Sequence, residues 1–192
     1  MLEQSNIKHP LHPPGGLMIW LLILMELIVF GATFLAFFFV RGQELKLFAE
    51  AQQSLNPTLG FINTILLITS GGFVALGNRL YEEKANKLSA LLFVGGIVFG
   101  IAFLGVKGIE YSHKVSLGHT TGVNAFFDFY WLLTVFHAAH VLLGLLVLFY
   151  ITYRIKYSLA FDPEGVTVKM GSAFWHMCDL VWVLLFPILY LI

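Results

Sequence analysis

The sequence predicts an all-α membrane protein, a single bundle of five transmembrane helices within residues 1–192. Of these residues 58% are hydrophobic and only 11% are charged, with a mean hydropathy of +0.84, whereas soluble domains are roughly half apolar and a quarter charged. Five apolar segments reach the ~20 residues that a helix needs to cross a bilayer. They cover about residues 17–40, 59–77, 88–106, 126–150 and 173–192. The connections between them are short, so one domain is expected.

The connecting segments are predicted from their proline and charge content. Residues 9–16 contain three prolines, which lack a backbone donor and fix φ, so an irregular arm with two solvated histidines is expected. Residues 43–55 place leucine and phenylalanine among polar residues, which predicts a short interfacial helix that ends at Asn56. The charged residues 79–87 indicate a tight turn, so the second and third helices should be antiparallel neighbours.

Small and neutral polar residues within the helices are interpreted as packing positions. Gly96 and Gly100 form a small-xxx-small pattern in the third helix. This pattern either lets another helix approach closely or leaves two glycines facing lipid. Asn63 and Thr64, in the second helix, are expected to form hydrogen bonds between helices rather than to contact a substrate.

Charge placement predicts the orientation in the membrane. Seven basic residues lie on the side of the N-terminus: Lys8, Arg79, Lys84, Lys87, Arg154, Lys156 and Lys169. Four lie on the opposite side: Arg41, Lys46, Lys107 and Lys114. By the positive-inside rule the N-terminus is cytoplasmic and the C-terminus lies outside the cytoplasm. The net charge is zero, which gives no indication of nucleic-acid binding, and the single cysteine excludes an internal disulfide.

Two ionisable residues are expected to meet near the middle of the bilayer. Glu26 lies nine residues into the first helix, about 14 Å deep, and His140 lies about 15 Å deep in the fourth helix. His137 is three residues away from His140 on the same face, about one turn further out. An unpaired carboxylate in a low-dielectric medium favours its neutral form, so Glu26 and His140 are predicted to pair.

The last helix carries a second acid–base pair. His176 and Asp179 are three residues apart, which places them on one helix face. Counted from residue 173 they lie only ~5 and ~9 Å deep, near the cytoplasmic edge. Each of the two pairs either holds and passes a proton or only fixes the positions of the helices. Both interpretations remain open, with Glu26 the first candidate for a functional carboxylate.

The histidines and glutamates do not predict a metal site. Residues 110–113 form one Glu-x-x-His unit, whereas a di-iron bundle needs two such units and two further glutamates. A bis-histidine haem would need a histidine of the fourth helix level with His176, and the predicted depths differ by ~10 Å. No metal or cofactor is therefore expected in this chain.

Several motifs resemble those of one family. Residues 175–182 resemble the Trp-His-x-x-Asp-x-x-Trp signature of subunit III of the haem–copper oxidases, cytochrome c oxidase subunit III, in its five-helix bacterial form. Residues 136–144 resemble its His-x-x-His-Val-x-x-Gly signature. The remaining matches are the Asn-Thr pair in the second helix, the intramembrane glutamate at Glu26 and the Glu-Tyr pair at Glu110 and Tyr111. The resemblance covers nearly the whole chain.

This resemblance implies a noncatalytic subunit of an aerobic respiratory oxidase in the bacterial inner membrane. The haems and copper belong to subunits I and II, and subunit III flanks subunit I, stabilises it and supports its proton uptake. It also implies phospholipid in a cleft between helices, with Glu26 as the buried carboxylate of that cleft. Residues assigned to helix packing or to the cleft are Asn63, Thr64, Gly96, Gly100, Glu110, Tyr111, Trp175 and Trp182.

Three alternatives remain at this point. The C-terminal segment, with its Phe-Pro-x-x-Tyr ending, also resembles a subunit-III-like branch associated with nitric oxide reductases, which leaves the electron acceptor of the complex open. A stand-alone membrane cytochrome b would use the membrane histidines as haem ligands. A proton-coupled transporter would use Glu26 and His140.

Overall fold

The computed structural model describes residues 15–157 and 165–192, and within these ranges every regular element is helical. The helices are α1 Leu17–Gln43, α2 Leu45–Gln52, α3 Pro57–Glu82, α4 Asn86–Ser116, α5 Ala125–Lys156 and α6 Val166–Tyr190. All except α2 are long and apolar enough to cross a membrane, so the predicted five-span helical architecture is confirmed. Most of the predicted N-terminal arm, including His9 and His12, lies outside the described residues.

Four predicted helix boundaries are wrong. The second membrane helix continues past residue 77 to Glu82, and the fourth continues past residue 150 to Lys156. The other two differ more. The third membrane helix does not end at residue 106, because α4 continues to Ser116. The last does not begin at residue 173, because α6 starts at Val166. The predicted boundaries are the ends of runs of apolar residues, which stop near charged residues. A helix, in contrast, continues until its backbone is capped. The charges that ended the apolar run at residue 106 are buried inside the bundle, as described below.

The ends of α3 and α4 show the capping that stops these helices. At the end of α4 the Gly118 N–H donates to Val115 O, and the His119 N–H donates to Lys114 O. This pair of bonds is a Schellman motif, which needs a left-handed residue, and Gly118 has φ 76°. The end of α3 has the same bonding around Lys84, whose φ is 60°. The resulting turn reverses the chain directly into α4.

The helices α3 and α4 pack closely as the predicted antiparallel pair. Ser70 Oγ donates to Gly96 O at 2.7 Å, and Ser89 Oγ donates to Gly77 O at 2.7 Å. A Cβ atom at Gly96 would lie 2.8 Å from the Val74 side chain. Gly96 therefore permits the close approach of two helices and does not face lipid, as one of the two sequence interpretations proposed.

The short helix α2 lies against α1 and α5. Its one buried residue, Phe48, packs edge-on against Phe37 and Phe126, with ring centroids 5.3 and 5.6 Å away. Asn56 then caps α3, since its side chain accepts hydrogen bonds from the Thr58 and Leu59 N–H groups. The predicted short helix is therefore present, but it ends at Gln52, four residues before Asn56, and its location at the membrane interface stays a prediction.

Trp175 joins α6 to the two central helices. It is fully buried, and its ring lies against Gly100 of α4 and Gly144 of α5. A Cβ atom at either glycine would lie 2.7 or 2.8 Å from the ring. Gly100 thus makes room for an inserted side chain rather than for another backbone, which differs from the role predicted for the small-xxx-small pattern.

We expect Gly100→Val to destabilise the bundle, because the added methyl groups overlap the Trp175 and Leu145 side chains. Overpacking of this kind typically costs about 1–3 kcal/mol. Thermal unfolding of the detergent-solubilised chain measures the effect. The matched control is Gly105→Val on the same helix, where nothing lies within 4 Å of the added Cβ. Equal melting temperatures for the two variants would contradict the assigned packing.

Candidate functional site

Glu26 on α1 and His140 on α5 form the pair that their depths predicted. His140 Nε2 lies 3.1 Å from Glu26 Oε2, and the two side chains are 12% and 24% exposed, respectively. The Phe30 and Phe136 rings flank the imidazole at centroid distances of 5.9 and 4.6 Å. The pair is therefore surrounded by apolar groups, and the Glu26 Oε2 atom is buried, while part of the Glu26 side chain is exposed.

The contacts of His140 restrict where its protons lie. Nδ1 is 2.8 Å from Phe136 O, and a carbonyl oxygen only accepts hydrogen bonds, so Nδ1 carries a hydrogen. The Nε2 atom that faces Glu26 then either faces a protonated carboxyl group or carries a second proton opposite a carboxylate. The pair is neutral in both arrangements. The two atoms lie within ion-pair distance, and Glu26 Oε2 has no aligned hydrogen-bond donor in the described residues.

His176 and Asp179 also pair, but deeper in the bundle than predicted. His176 Nδ1 lies 3.3 Å from Asp179 Oδ2. Asp179 packs against Gly71 of α3 so closely that a Cβ atom there would overlap Oδ2. Because α6 begins at Val166, Asp179 is 13 residues into the helix, about 20 Å along it. The prediction that this pair lies near the cytoplasmic edge is therefore wrong.

His137 faces the interior of the bundle instead of the Glu26 pair. It is 1% exposed, and its ring lies between those of Phe103 and Trp182, at centroid distances of 5.7 and 5.3 Å. Neither ring nitrogen has a hydrogen-bond partner in the described part of the chain. His137 and His140 therefore have different neighbours despite their three-residue spacing.

A third pair, whose pairing the sequence analysis missed although it assigned Glu110 to helix packing or the cleft, lies where α4, α5 and α6 meet. Lys107 Nζ is 3.0 Å from Glu110 Oε2, and the side chains are 1% and 3% exposed. Tyr130 OH donates to Glu110 Oε1 at 2.8 Å, and Tyr190 OH donates to the same oxygen at 2.5 Å. Lys107 Nζ also donates to Tyr190 OH at 3.1 Å. Both charges have the partners that a buried charge requires.

Aromatic rings enclose the Lys107 ammonium. Four ring centroids lie 4.8–5.8 Å from Nζ. They belong to Tyr111, Tyr130, Trp182 and Tyr190. At these distances the negative ring faces attract a cation. Trp182 extends the cluster to a fourth helix, since its Nε1 donates to Thr64 Oγ1 of α3 at 3.0 Å.

The sequence contained part of the signal for this cluster. Lys107 and Glu110 are three residues apart and share a helix face. Glu110 was assigned to helix packing or the cleft, but ending the helix at residue 106 left Lys107 and Lys114 as charges on the side opposite the N-terminus. Lys114 is instead buried and donates to Ser54 O. The two tyrosine partners of Glu110 are 20 and 80 residues away in the sequence. Only the fold brings them together.

The two predicted polar packing residues of α3 behave differently. Thr64 forms the predicted hydrogen bond between helices, as the acceptor from Trp182. Asn63 is fully buried, and neither amide atom has a partner within the described ranges. The hydrogen bond predicted for Asn63 is therefore wrong for this structure.

A cleft of about 520 Å³ opens between α1, α3 and α6. Its walls are mainly apolar and include Trp20, Ile23 and Leu180. Glu82 and Lys169, whose charged atoms are 3.1 Å apart, also line it, as does His176. Glu26 is not among its lining residues, in contrast to its predicted place in a lipid cleft. A cleft of this character suits a ligand with a polar head and an apolar tail.

These arrangements supply acid–base groups at membrane depth. Within the described ranges no three His, Cys, Asp or Glu side chains are grouped closely enough to hold a metal ion. The Glu26–His140 pair has the geometry to hold a proton, and the Lys107–Glu110 cluster has the geometry to join helices. The expectation that the chain carries no cofactor of its own stays a prediction.

Comparison with known proteins identifies the family. Residues 14–192 match the family model described as cytochrome c oxidase subunit III. A cytochrome c oxidase subunit 3 from Thermostichus vulcanus is 26% identical over 186 residues, which are 96% of this chain and 90% of the relative. A probable cytochrome c oxidase subunit 3 from Rickettsia felis is 30% identical over 89% of this chain and 66% of its own length.

A third relative is longer. A protein of Aeropyrum pernix named heme-copper oxidase subunit I+III is 29% identical over 180 residues, which are 90% of this chain and 22% of that protein. The family match extends over nearly the whole sequence, and the five apolar helices agree with a multi-pass membrane protein. The chain belongs to the cytochrome c oxidase subunit III family and is an accessory subunit of a haem–copper oxidase.

Proposed function

We propose that this subunit lies beside subunit I of its oxidase, stabilises that subunit and supports its proton uptake through Glu26 and His140. Subunits I and II are the partners, and they hold the haems and copper. The name of the Aeropyrum pernix relative, subunit I+III, supports direct contact with subunit I. The location is the cytoplasmic membrane of a bacterium.

The observation that carries this proposal is the partial exposure of Glu26. The enclosed Lys107–Glu110 pair is 1% and 3% exposed, whereas the Glu26 side chain is 24% exposed although its Oε2 atom is buried. An ionisable group at membrane depth is costly unless it faces protein or water. We therefore place a surface of subunit I, or water held between the subunits, against this side of α1 and α5.

The pair is suited to storing a proton rather than to fixed bonding. The shared proton can leave toward a neighbouring acceptor, and another can return from the aqueous side. Because the pair is neutral when it holds this proton, the filled state avoids the cost of an uncompensated charge in the membrane. Subunit I would receive protons from the Glu26–His140 pair during turnover.

The burial of two lysines supports the proposed orientation. Lys107 and Lys114 are 1% and 2% exposed, so they are not loop charges. Without them the side opposite the N-terminus keeps Arg41 and Lys46 from the predicted set. The charge asymmetry is then larger than predicted, which favours a cytoplasmic N-terminus under the positive-inside rule.

We assign a phospholipid to the cleft between α1, α3 and α6. The apolar walls suit acyl chains, and the Glu82–Lys169 pair offers both signs of charge to a headgroup. This assignment keeps the lipid role that the family resemblance implies but separates it from Glu26.

The parent complex is expected to reduce oxygen rather than nitric oxide, since the three relatives described above are named as oxidase subunits. The complex purified in mild detergent should contain haem-bearing subunit I and consume oxygen. The isolated chain should show no haem absorption. Nitric oxide reduction without oxygen consumption would show that the complex is a nitric oxide reductase. A haem spectrum in the isolated chain would contradict the accessory, cofactor-free role.

Glu26→Gln tests the proton role. The amide preserves shape and polarity but cannot give up a proton, so the complex should assemble and turn over more slowly. The decrease in turnover rate should be larger at pH 9 than at pH 6. At high pH the proton concentration is low, so turnover depends more on protons held by the Glu26–His140 pair. Oxygen consumption across this range is the measurement, with Glu50→Gln on the exposed face of α2 as control. An unchanged pH profile in the Glu26→Gln complex would reduce the pair to a structural contact.

A further inference from the structure

A second groove lies between the beginning of α4 and the end of α5. Its volume is about 470 Å³. It is lined by Asn86, Lys87, Ala90, Leu91, Val94, Thr152, Ile155 and Lys156. None of these residues lines the cleft between α1, α3 and α6. The groove is therefore a separate feature, which the function proposed above does not use.

Two lysines stand at the same end of this groove. Lys87 is in the first turn of α4, and Lys156 is the last residue of α5. Because the two helices are antiparallel, both residues lie on the membrane face where the turn after α3 also lies. The charged ends of both side chains are thus at the level of lipid headgroups.

The charges of these lysines are not neutralised within the described part of the chain. Neither Lys87 nor Lys156 has a carboxylate within ion-pair distance there, and the Lys156 ammonium lies 6.0 Å from the Tyr157 ring. The acidic residues at the end of α3 are already paired, Glu82 with Lys169 and Glu83 with Arg79. Among the described residues, the mouth of the groove therefore carries two lysine charges without an ion-pair partner.

Below the lysines the groove is apolar. Ala90, Leu91 and Val94 follow Lys87 at three-, four- and seven-residue spacing, so they continue its helix face into the membrane. Val94 is about 10 Å further along the axis than Lys87. On the facing wall the Thr152 hydroxyl is satisfied, since it donates to Leu148 O at 2.7 Å. A hydrophilic anion would find partners only at the mouth, whereas an acyl chain matches the rest.

We infer that this groove binds an anionic phospholipid of the leaflet on the side of the N-terminus. The phosphate lies between Lys87 and Lys156, and an acyl chain runs along Ala90, Leu91 and Val94. Basic pockets between membrane helices recognise anionic headgroups in this way. A zwitterionic headgroup adds a positive charge that the two lysines repel, which gives the groove its preference for a net negative lipid.

The test measures which lipid the full chain retains. The chain is reconstituted into vesicles of equal parts phosphatidylglycerol and phosphatidylcholine, extracted in mild detergent and analysed by native mass spectrometry. Wild type should retain phosphatidylglycerol preferentially. The double variant Lys87→Gln/Lys156→Gln should lower that preference by roughly tenfold. Lys84→Gln, an exposed lysine on the same face outside the groove, should keep it.

A variant of unchanged charge separates groove binding from general attraction to basic residues. Ala90→Phe fills the apolar floor and should also reduce phosphatidylglycerol retention while Lys87 and Lys156 stay in place. Equal retention of the two lipids by wild type would overturn the proposal. So would a preference that survives the double lysine variant or the Ala90→Phe variant.

Discussion

A charge inside the membrane must have a partner, and this constraint shapes the bundle around Lys107 and Glu110. The pair is almost completely enclosed, with hydroxyls of α5 and α6 on the carboxylate and four aromatic rings around the ammonium. Its Trp182 ring is hydrogen-bonded to α3. Four helices therefore meet at a single ion pair. The length of α4 follows as well, since the helix must continue past residue 106 to place both charges in the interior.

The polar pairs of this chain divide by exposure. The Lys107–Glu110 pair is enclosed and joins helices, whereas the Glu26–His140 side chains are 24% and 12% exposed, respectively. A pair with several hydrogen bonds has fixed partners. In the proposed function, the enclosed pair stabilises the bundle and the partly exposed pair exchanges protons with the neighbouring subunit. In the His176–Asp179 pair, Asp179 packs against Gly71 and His176 lines the cleft between α1, α3 and α6, so the pair contributes to both α3–α6 packing and the cleft wall.

Helix periodicity and depth were enough to predict five spans and both histidine–carboxylate pairs. Glu26 and His140 were matched by depth alone, although α5 continues to Lys156, beyond the predicted boundary at residue 150 from which the depth of His140 was counted. The depth of Asp179 was wrong because polar residues at the start of α6 obscured that helix's first turns. Lys107 was missed because a hydropathy window cannot distinguish a lysine in a loop from one neutralised by tyrosines far away in the sequence. Asn63 shows the remaining limit, since a polar residue at a helix interface need not find a partner there.

Thermodynamic coupling between Lys107 and Glu110 tests most directly the claim that this ion pair organises the bundle. Unfolding of the purified chain in detergent would be measured for wild type, Lys107→Met, Glu110→Gln and the double variant. Each single change leaves one buried group unpaired and should cost about 3–5 kcal/mol, while the double variant should cost clearly less than the sum. The exposed Arg79–Glu83 pair, 73% and 54% exposed, is the control and should show coupling below about 1 kcal/mol. Additive losses at Lys107 and Glu110 would contradict the account.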